Sequence, residues 1–403
     1  MRYQVSTTPR REPWTCGAAR SLVFAGLAAC NAQKDRTPPS ANPPPAAEVV
    51  GSAVSAPAPA APAAGEPSRA PDAGPTPLTF RPLALPGATP PVSLDYLAYD
   101  RANERVWVPV GDTGSADVLD IATGTFTRVD GFKTGEREVR GKKRAMGPSA
   151  ASAGDGFVYV GNRATSEVCP VDARKLTLGK CFKLPSPTDG VAYVAPTKEV
   201  WVTTPHDRSI AVLDASNPAA LGLKTVIRLE GSPEGYAVDD ARGLFFTNLE
   251  DKDRTLVIDV KTHKPTGVPW KPACGADGPR GIAVEAKHAF VFVACTDHVV
   301  VLDGAHDGAT LAKLETGAGV DNIDWLEARR LLFVAAAKGG GAAGDGAAKA
   351  GRMTVAHVDD EGHVAISGTG DSPEGARNAV ADTSGNAYVA DPANARLLVF
   401  SAP

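Results

Sequence analysis

Seven polar residues stand at one recurring register of this 403-residue chain, each just ahead of a strand-length apolar run. They are Asp95, Ser149, Asp189, Glu234, Arg280, Asp321 and Arg377. Carboxylates converging from separate segments are the donor set of a hard cation such as Ca2+. Arginines interleaved with acids do something else: they pair with their neighbours and build a polar wall. The sequence leaves both readings open, and the two arginines favour the wall. A second group is the stretch Phe132–Met146, with Lys133, Arg137, Arg140, Lys142, Lys143 and Arg144 against Glu136 and Glu138. So many cations in so short a loop suit an anionic glycan, a lipid headgroup or an acidic partner, or else a solvated charged loop. His206-Asp207 is the best candidate for a general base, although a histidine beside an acid in a surface loop is commonly incidental. His263, His288, His306 and His363 are expected on the opposite face. There is no CxxCH haem attachment, no G-x-S-x-G elbow and no Cys/His spacing of a metal site.

The elements that must carry these residues are short. In Glu234–Asp259 three apolar runs of strand length are separated by a Gly turn and a polar loop, with no helical periodicity. The unit recurs seven times, every 40–46 residues or so, beginning at each of the seven polar residues. Twelve residues on, an aromatic recurs as Trp107, Trp201, Phe246, Phe292 and Phe333, with Tyr159 and Tyr388 slightly earlier. A third run ends in Asp120, Asp172, Asp214, Asp259, Asp303 or Asp359. A small sheet of this kind cannot bury both faces alone, so the repeat predicts an all-β, seven-bladed β-propeller over residues 78–403. The aromatics are expected as packing between blades. The last unit lacks a fourth strand, and Leu78–Leu85 is expected to supply it and close the ring. By resemblance to the known propeller architecture, loops entering the first strand and joining the second to the third are expected to share one face. That face is expected to hold the seven polar residues, the basic insertion and the Gly/Ala-rich run Lys338–Gly351.

The units, of the form x-G-V-A-V … W-V-T … V-L-D, resemble YVTN-type propellers of bacterial surface and periplasmic proteins. The last unit, Asn378–Phe400, is closer to an NHL repeat, including Asp391 and Arg396. Gluconolactonase-like propellers hold a catalytic metal near the channel mouth. This resemblance implies an alternative function, a metal-assisted lactone hydrolase with Asp95, Asp189, Glu234 and Asp321 around Ca2+ or a similar ion.

The N-terminal fifth, residues 1–77, is of another kind. Arg10, Arg11 and Arg20 precede a short apolar run that ends Leu27-Ala28-Ala29-Cys30. The run is too short to span a bilayer and fits a signal peptide, expected over 1–29. Its end resembles the lipobox of bacterial lipoproteins, which implies lipidation of Cys30. Asn31 after it implies an outer-membrane destination, facing the periplasm or the cell surface. Residues 30–77, rich in Pro and Ala, are expected as a disordered tether whose full reach at about 3.1 Å per residue exceeds roughly 100 Å. A net charge of −4 argues against a nucleic-acid binder. Six cysteines suit an oxidising compartment. Cys169 and Cys181 fall on neighbouring strands of one blade, and Cys274 and Cys295 flank another, so two structural disulfides are expected. The favoured function is a monomeric, membrane-anchored binding protein that engages a protein, glycan or small molecule on one face without catalysis. A passive surface or spacer protein is the remaining alternative.

Overall fold

Each repeat folds as an antiparallel meander whose innermost strand lines a central channel. The computed structural model describes residues 74–139, 141–339 and 350–403. The expected signal peptide, Cys30, nearly all of the tether, Arg140 and most of the Lys338–Gly351 run lie outside the described residues. The fold is a seven-bladed β-propeller. In blade 4 the strands are Pro233–Asp239, Leu244–Leu249, Arg254–Asp259 and Lys264–Pro265, hydrogen-bonded in that order.

The aromatic column occupies the third residue of the second strand in every blade: Trp107, Tyr159, Trp201, Phe246, Phe292, Phe333 and Tyr388. All seven are buried. Tyr159 and Tyr388 arrive early in sequence only because the turn before them is shorter; in space they share the register of the others. Opposite the column, on the innermost strand, stand Ala98, Ser152, Ala192, Ala237, Ala283, Asp324 and Val380. Small partners let the ring lie flat on the sheet and reach the next blade. Burial of each aromatic stabilises the ring by roughly 2–3 kcal/mol.

The recurrent aspartate at the end of the third strand has a local cause. Its carboxylate accepts the backbone N–H groups two and three residues on, as Asp259 does from Lys261 and Thr262 at 3.1 and 2.7 Å. Asp120, Asp172, Asp214, Asp303 and Asp359 cap their own turns in the same way. These Asx turns set the bend into the fourth strand.

Closure follows the expectation. Phe80–Ala84 pairs antiparallel with Arg396–Ser401 and completes blade 7. Just before it, Thr76–Pro77 adds a parallel strand to the outer edge of blade 6. Leu78, between the two, is buried in the apolar cluster of blades 6 and 7. One N-terminal segment thus fastens two consecutive blades.

The basic insertion is a β-hairpin rather than an irregular loop, with strands Gly135–Val139 and Lys142–Met146. Both expected disulfides form, Cys169–Cys181 and Cys274–Cys295. The first ties the outer edge of blade 2 to its third strand. The second ties the long connection between blades 4 and 5 to the end of the strand Phe290–Ala294.

Candidate functional site at the channel mouth

The innermost strands all begin at one end of the channel, and the loops between second and third strands come to the same end. The first contact between them is made by Arg163, from the loop after Phe157–Asn162 in blade 2. Its guanidinium bridges Asp95 of blade 1, at 2.8 Å, and Asp189 of blade 3. Asn378 of blade 7 donates to the Asp95 carboxylate at 3.2 Å from the other side. Arg377 meets Asp321 at 3.2 Å, and Arg280 turns to Glu250, in the second-to-third loop of blade 4, at 2.7 Å. Asp95, Asp189, Asp321, Arg280 and Arg377 therefore all belong to the mouth and are all paired. Ser149 is buried with its hydroxyl unpartnered and does not join the acids.

Glu234 is the exception among the carboxylates. Among the described residues it has neither an ion-pair nor a hydrogen-bond partner. Burial, then the negative charges of Asp189, Asp321, Asp95 and Glu250, push its pKa well above the ordinary glutamate value. Asp189 is lifted to about 6, chiefly by burial; Arg163 draws it down, and Asp95 and Asp321 push it back up. Asp321 rises for the same reasons, burial first and Asp95 next, despite Arg377. Burial disfavours the charge of Arg163, yet Asp189 and Asp95 outweigh it and hold the guanidinium above its usual pKa. Five acids thus face three arginines, and the mouth carries a negative surplus.

Directly beneath this ring a pair of tyrosines crosses the channel. Tyr96 from blade 1 reaches across it and stacks on Tyr236 of blade 4, ring centroids 5.6 Å apart. Its hydroxyl donates to Asp189 at 3.4 Å and accepts the Gly235 N–H at 3.3 Å. Two glycines make this possible. A Cβ at Gly190 would lie 2.2 Å from the Tyr236 ring, and Gly235, at φ 72°, approaches the Arg280 carbonyl too closely for any side chain. In the other blades the position of Tyr96 holds Ala150, Gly190, Gly235, Gly281, Asn322 and Asn378.

A hard metal does not fit this arrangement. The guanidinium of Arg163 occupies the space between Asp95 and Asp189. Among the described residues no three of the mouth carboxylates bring their oxygens within coordinating reach of one another. The one trio that does, Asp359, Glu361 and His363, lies at a turn on the opposite face, where Asp359 is already capping its own turn and bonded to His363. His206 is exposed and touches Asp207 at 2.9 Å. His263, His288, His306 and His363 bond to Glu199, Glu285, Asp303 and Asp359 on the far face.

The hairpin stands on the mouth face. Asn162 donates to the Lys133 carbonyl at 2.9 Å, and the Arg163 N–H to the Gly147 carbonyl at 2.9 Å. Strand alternation sorts its charges. Glu136, Glu138 and Lys143 share one face, where Lys143 pairs with Glu136 at 3.4 Å. Arg137 and Arg144 lie directly opposite each other on the other face, exposed and with no ion-pair partner among the described residues. Like charges in direct register are unfavourable unless an anion lies between them. Lys133 is exposed at the hairpin's root, and Lys142 pairs by its backbone with Val139.

Arg163, Tyr96, Glu250 and Asn378 were not singled out by sequence reasoning. Arg163 and Glu250 had a signal, since the repeat places both loops on this face. Tyr96 had one too, as a large residue in a column of small ones.

Comparison with known proteins supports the fold and stops there. No protein-family model matches the chain, and no curated protein does. Solved structures match as propellers. A virginiamycin B lyase from Staphylococcus aureus is 11% identical with TM-score 0.58, covering 81% of this chain and 100% of its own. A streptogramin B lyase is 9% identical with TM-score 0.60, covering 81% and 98%. The WD40 repeats of RRP9 are 9% identical with TM-score 0.60, covering 81% and 100%. At such identities the shared property is the seven-bladed ring.

Proposed function

We propose that this chain is an exported, lipid-anchored propeller of the YVTN/NHL type that binds a partner through its channel-mouth face, without chemistry of its own. The observation that carries this reading is the asymmetry of the two faces. The charged ring with its unpaired Glu234, the hairpin with its unpaired Arg137 and Arg144, and both ends of the Lys338–Gly351 insertion gather on one side. The opposite face is built of turns whose carboxylates are spent on their own backbone. Binding loops on a rigid scaffold are the usual use of such a face. The two disulfides suit export, and the Cys30 lipobox resemblance supplies the anchor, in the outer membrane facing the periplasm or the cell surface. The lactone-hydrolase alternative draws no support from a ring whose carboxylates are bridged by arginine.

The test places a photo-crosslinking residue at Arg137 on the mouth face, or at Ile366 in the outer strand of blade 6, in cells that export the full chain. Adducts specific to position 137 are expected. Equal labelling at both positions, or none at either, returns the passive-spacer reading. Labelled fatty acid incorporated by the wild type and not by Cys30→Ala checks the anchor separately.

A further inference from the structure

Blade 6 breaks the repeat at one position of the innermost strand. Opposite the aromatic column, six blades carry Ala98, Ser152, Ala192, Ala237, Ala283 or Val380; blade 6 carries Asp324, facing Phe333. One oxygen of Asp324 accepts the Trp325 N–H at 2.9 Å and the other the Ala381 N–H at 2.7 Å. Among the described residues no cation lies within ion-pair distance of it. Burial lifts its pKa to about 6, against those two hydrogen bonds and the charge of Arg101.

Asp324 lines both chambers of a cavity that fills the channel on the far side of the Tyr96–Tyr236 stack. The inner chamber, of about 260 Å³, is roofed by the two tyrosines and walled by Val284, Ile323 and Val380, with Asn322 and Asn378 also in its lining. The outer chamber, of about 290 Å³, opens toward the turn face and has Arg101 and Trp325 in its wall. Arg101 is exposed and has no ion-pair partner among the described residues. The innermost strands present their free edges to the channel, so unpaired backbone donors and acceptors also face the cavity.

An acid at the junction of two chambers, a base at the outer one, and beyond them aliphatic side chains and tyrosines with two asparagines at the margin: this order of groups specifies a ligand. We propose that the vestibule binds a free α-amino acid with an apolar or aromatic side chain, its ammonium on Asp324, its carboxylate toward Arg101 and its side chain in the inner chamber. A simple amine would leave Arg101 unused, and a simple carboxylate would leave Asp324 uncompensated. The inner chamber is large enough for a phenyl ring and too small for a peptide chain. The stacked tyrosines lie between the site and the Arg163 bridge of the channel mouth, and Asn378 borders both.

Calorimetric titration of the full chain with three probes tests this: phenylalanine, phenethylamine (ammonium only) and hydrocinnamate (carboxylate only). Phenylalanine should bind at least about tenfold more tightly than either single-charge probe. Arg101→Ala, at an exposed side chain with no ion-pair or hydrogen-bond partner among the described residues, should bring phenylalanine down to phenethylamine. Asp324→Asn should bring it down to hydrocinnamate, with a matched melting curve showing that the blade 6–7 tie through Ala381 survives. No saturable heat up to about 10 mM of any probe overturns the proposal. So does phenylalanine binding that Arg101→Ala leaves unchanged.

Discussion

At the scale of single residues, the mouth shows how position alone gives like side chains different roles. Asp95 and Asp189 share one guanidinium; Glu234 has none and is held among negative neighbours. A carboxyl with a raised folded-state pKa stabilises the fold below its unfolded value, about 4.3, and that contribution is lost as pH rises through the folded value. Near neutrality Glu234 therefore weakens the protein. Its facing groups are Asp189, Asp321, Asp95 and Glu250, with Arg163, Arg280 and Arg377 committed to other acids. Glu234→Gln should raise the melting temperature at pH 8 and the gain should fade toward pH 4; a uniform gain at both pH values would place the effect in packing instead. Arg163 is the opposite case. Arg163→Leu leaves two partly buried carboxylates uncompensated and should cost roughly 3–5 kcal/mol in urea unfolding. Most of that should return in the double variant with Asp189→Asn.

At the scale of elements, the ring depends on its aromatic column and on its clasp. Trp107 is fully buried between blades 1 and 2, and Trp107→Ala should cost about 3–5 kcal/mol. The clasp is legible in the sequence because blade 7 is one strand short and Leu78–Leu85, just ahead of the first unit, reads as a spare strand. Its second function was not: Thr76–Pro77 pairs with blade 6, and nothing in two residues signals a parallel strand. Deleting residues 78–86 removes both the Arg396–Ser401 pairing and the buried Leu78, so most of the thermal stability should be lost; an unchanged melting curve would mean the ring closes otherwise. The hairpin carries its own prediction. If the Arg137–Arg144 face meets an anionic polymer, binding should fall steeply with added salt and vanish in Arg137→Glu/Arg144→Glu, with the melting temperature unchanged.

At the scale of the whole molecule, the two faces titrate in opposite senses. On the turn face, Asp120, Asp172 and Asp259 are held below the ordinary aspartate value, by the N–H groups they accept first of all. Their contribution is present above about pH 4 and is lost as pH falls through their depressed values. Within the channel and blades, burial raises Asp189, Asp117 and Asp324 to about 6, and their contribution is lost as pH rises past that point. The melting temperature should therefore peak in the mildly acidic range, between about pH 4 and 6. A scanning-calorimetry optimum above pH 7 would contradict the arrangement. Reduction of the two disulfides should lower stability by roughly 2–4 kcal/mol each without unmaking the ring, since neither joins distant blades.

The amino-acid sequence by itself determined the repeat, the aromatic column, the aspartate-capped turns, the closing strand and the cysteine pairs. All of these are local or periodic: a turn needs its own few residues, and a column needs only a constant register. The meeting of Arg163 with Asp95 and Asp189, the stacking of Tyr96 on Tyr236 across the channel, and the cavity that Asp324 shares with Arg101 came only with the tertiary structure. The first joins three consecutive blades, and the other two join blades that are not neighbours in the ring. Side-chain reach and the absence of a Cβ at Gly190 and Gly235 settle them, and neither has a period to read. The ring of seven polar residues was thus visible in advance as a set of positions. Whether it held a metal or a salt-bridged wall turned on one arginine outside the repeat's register.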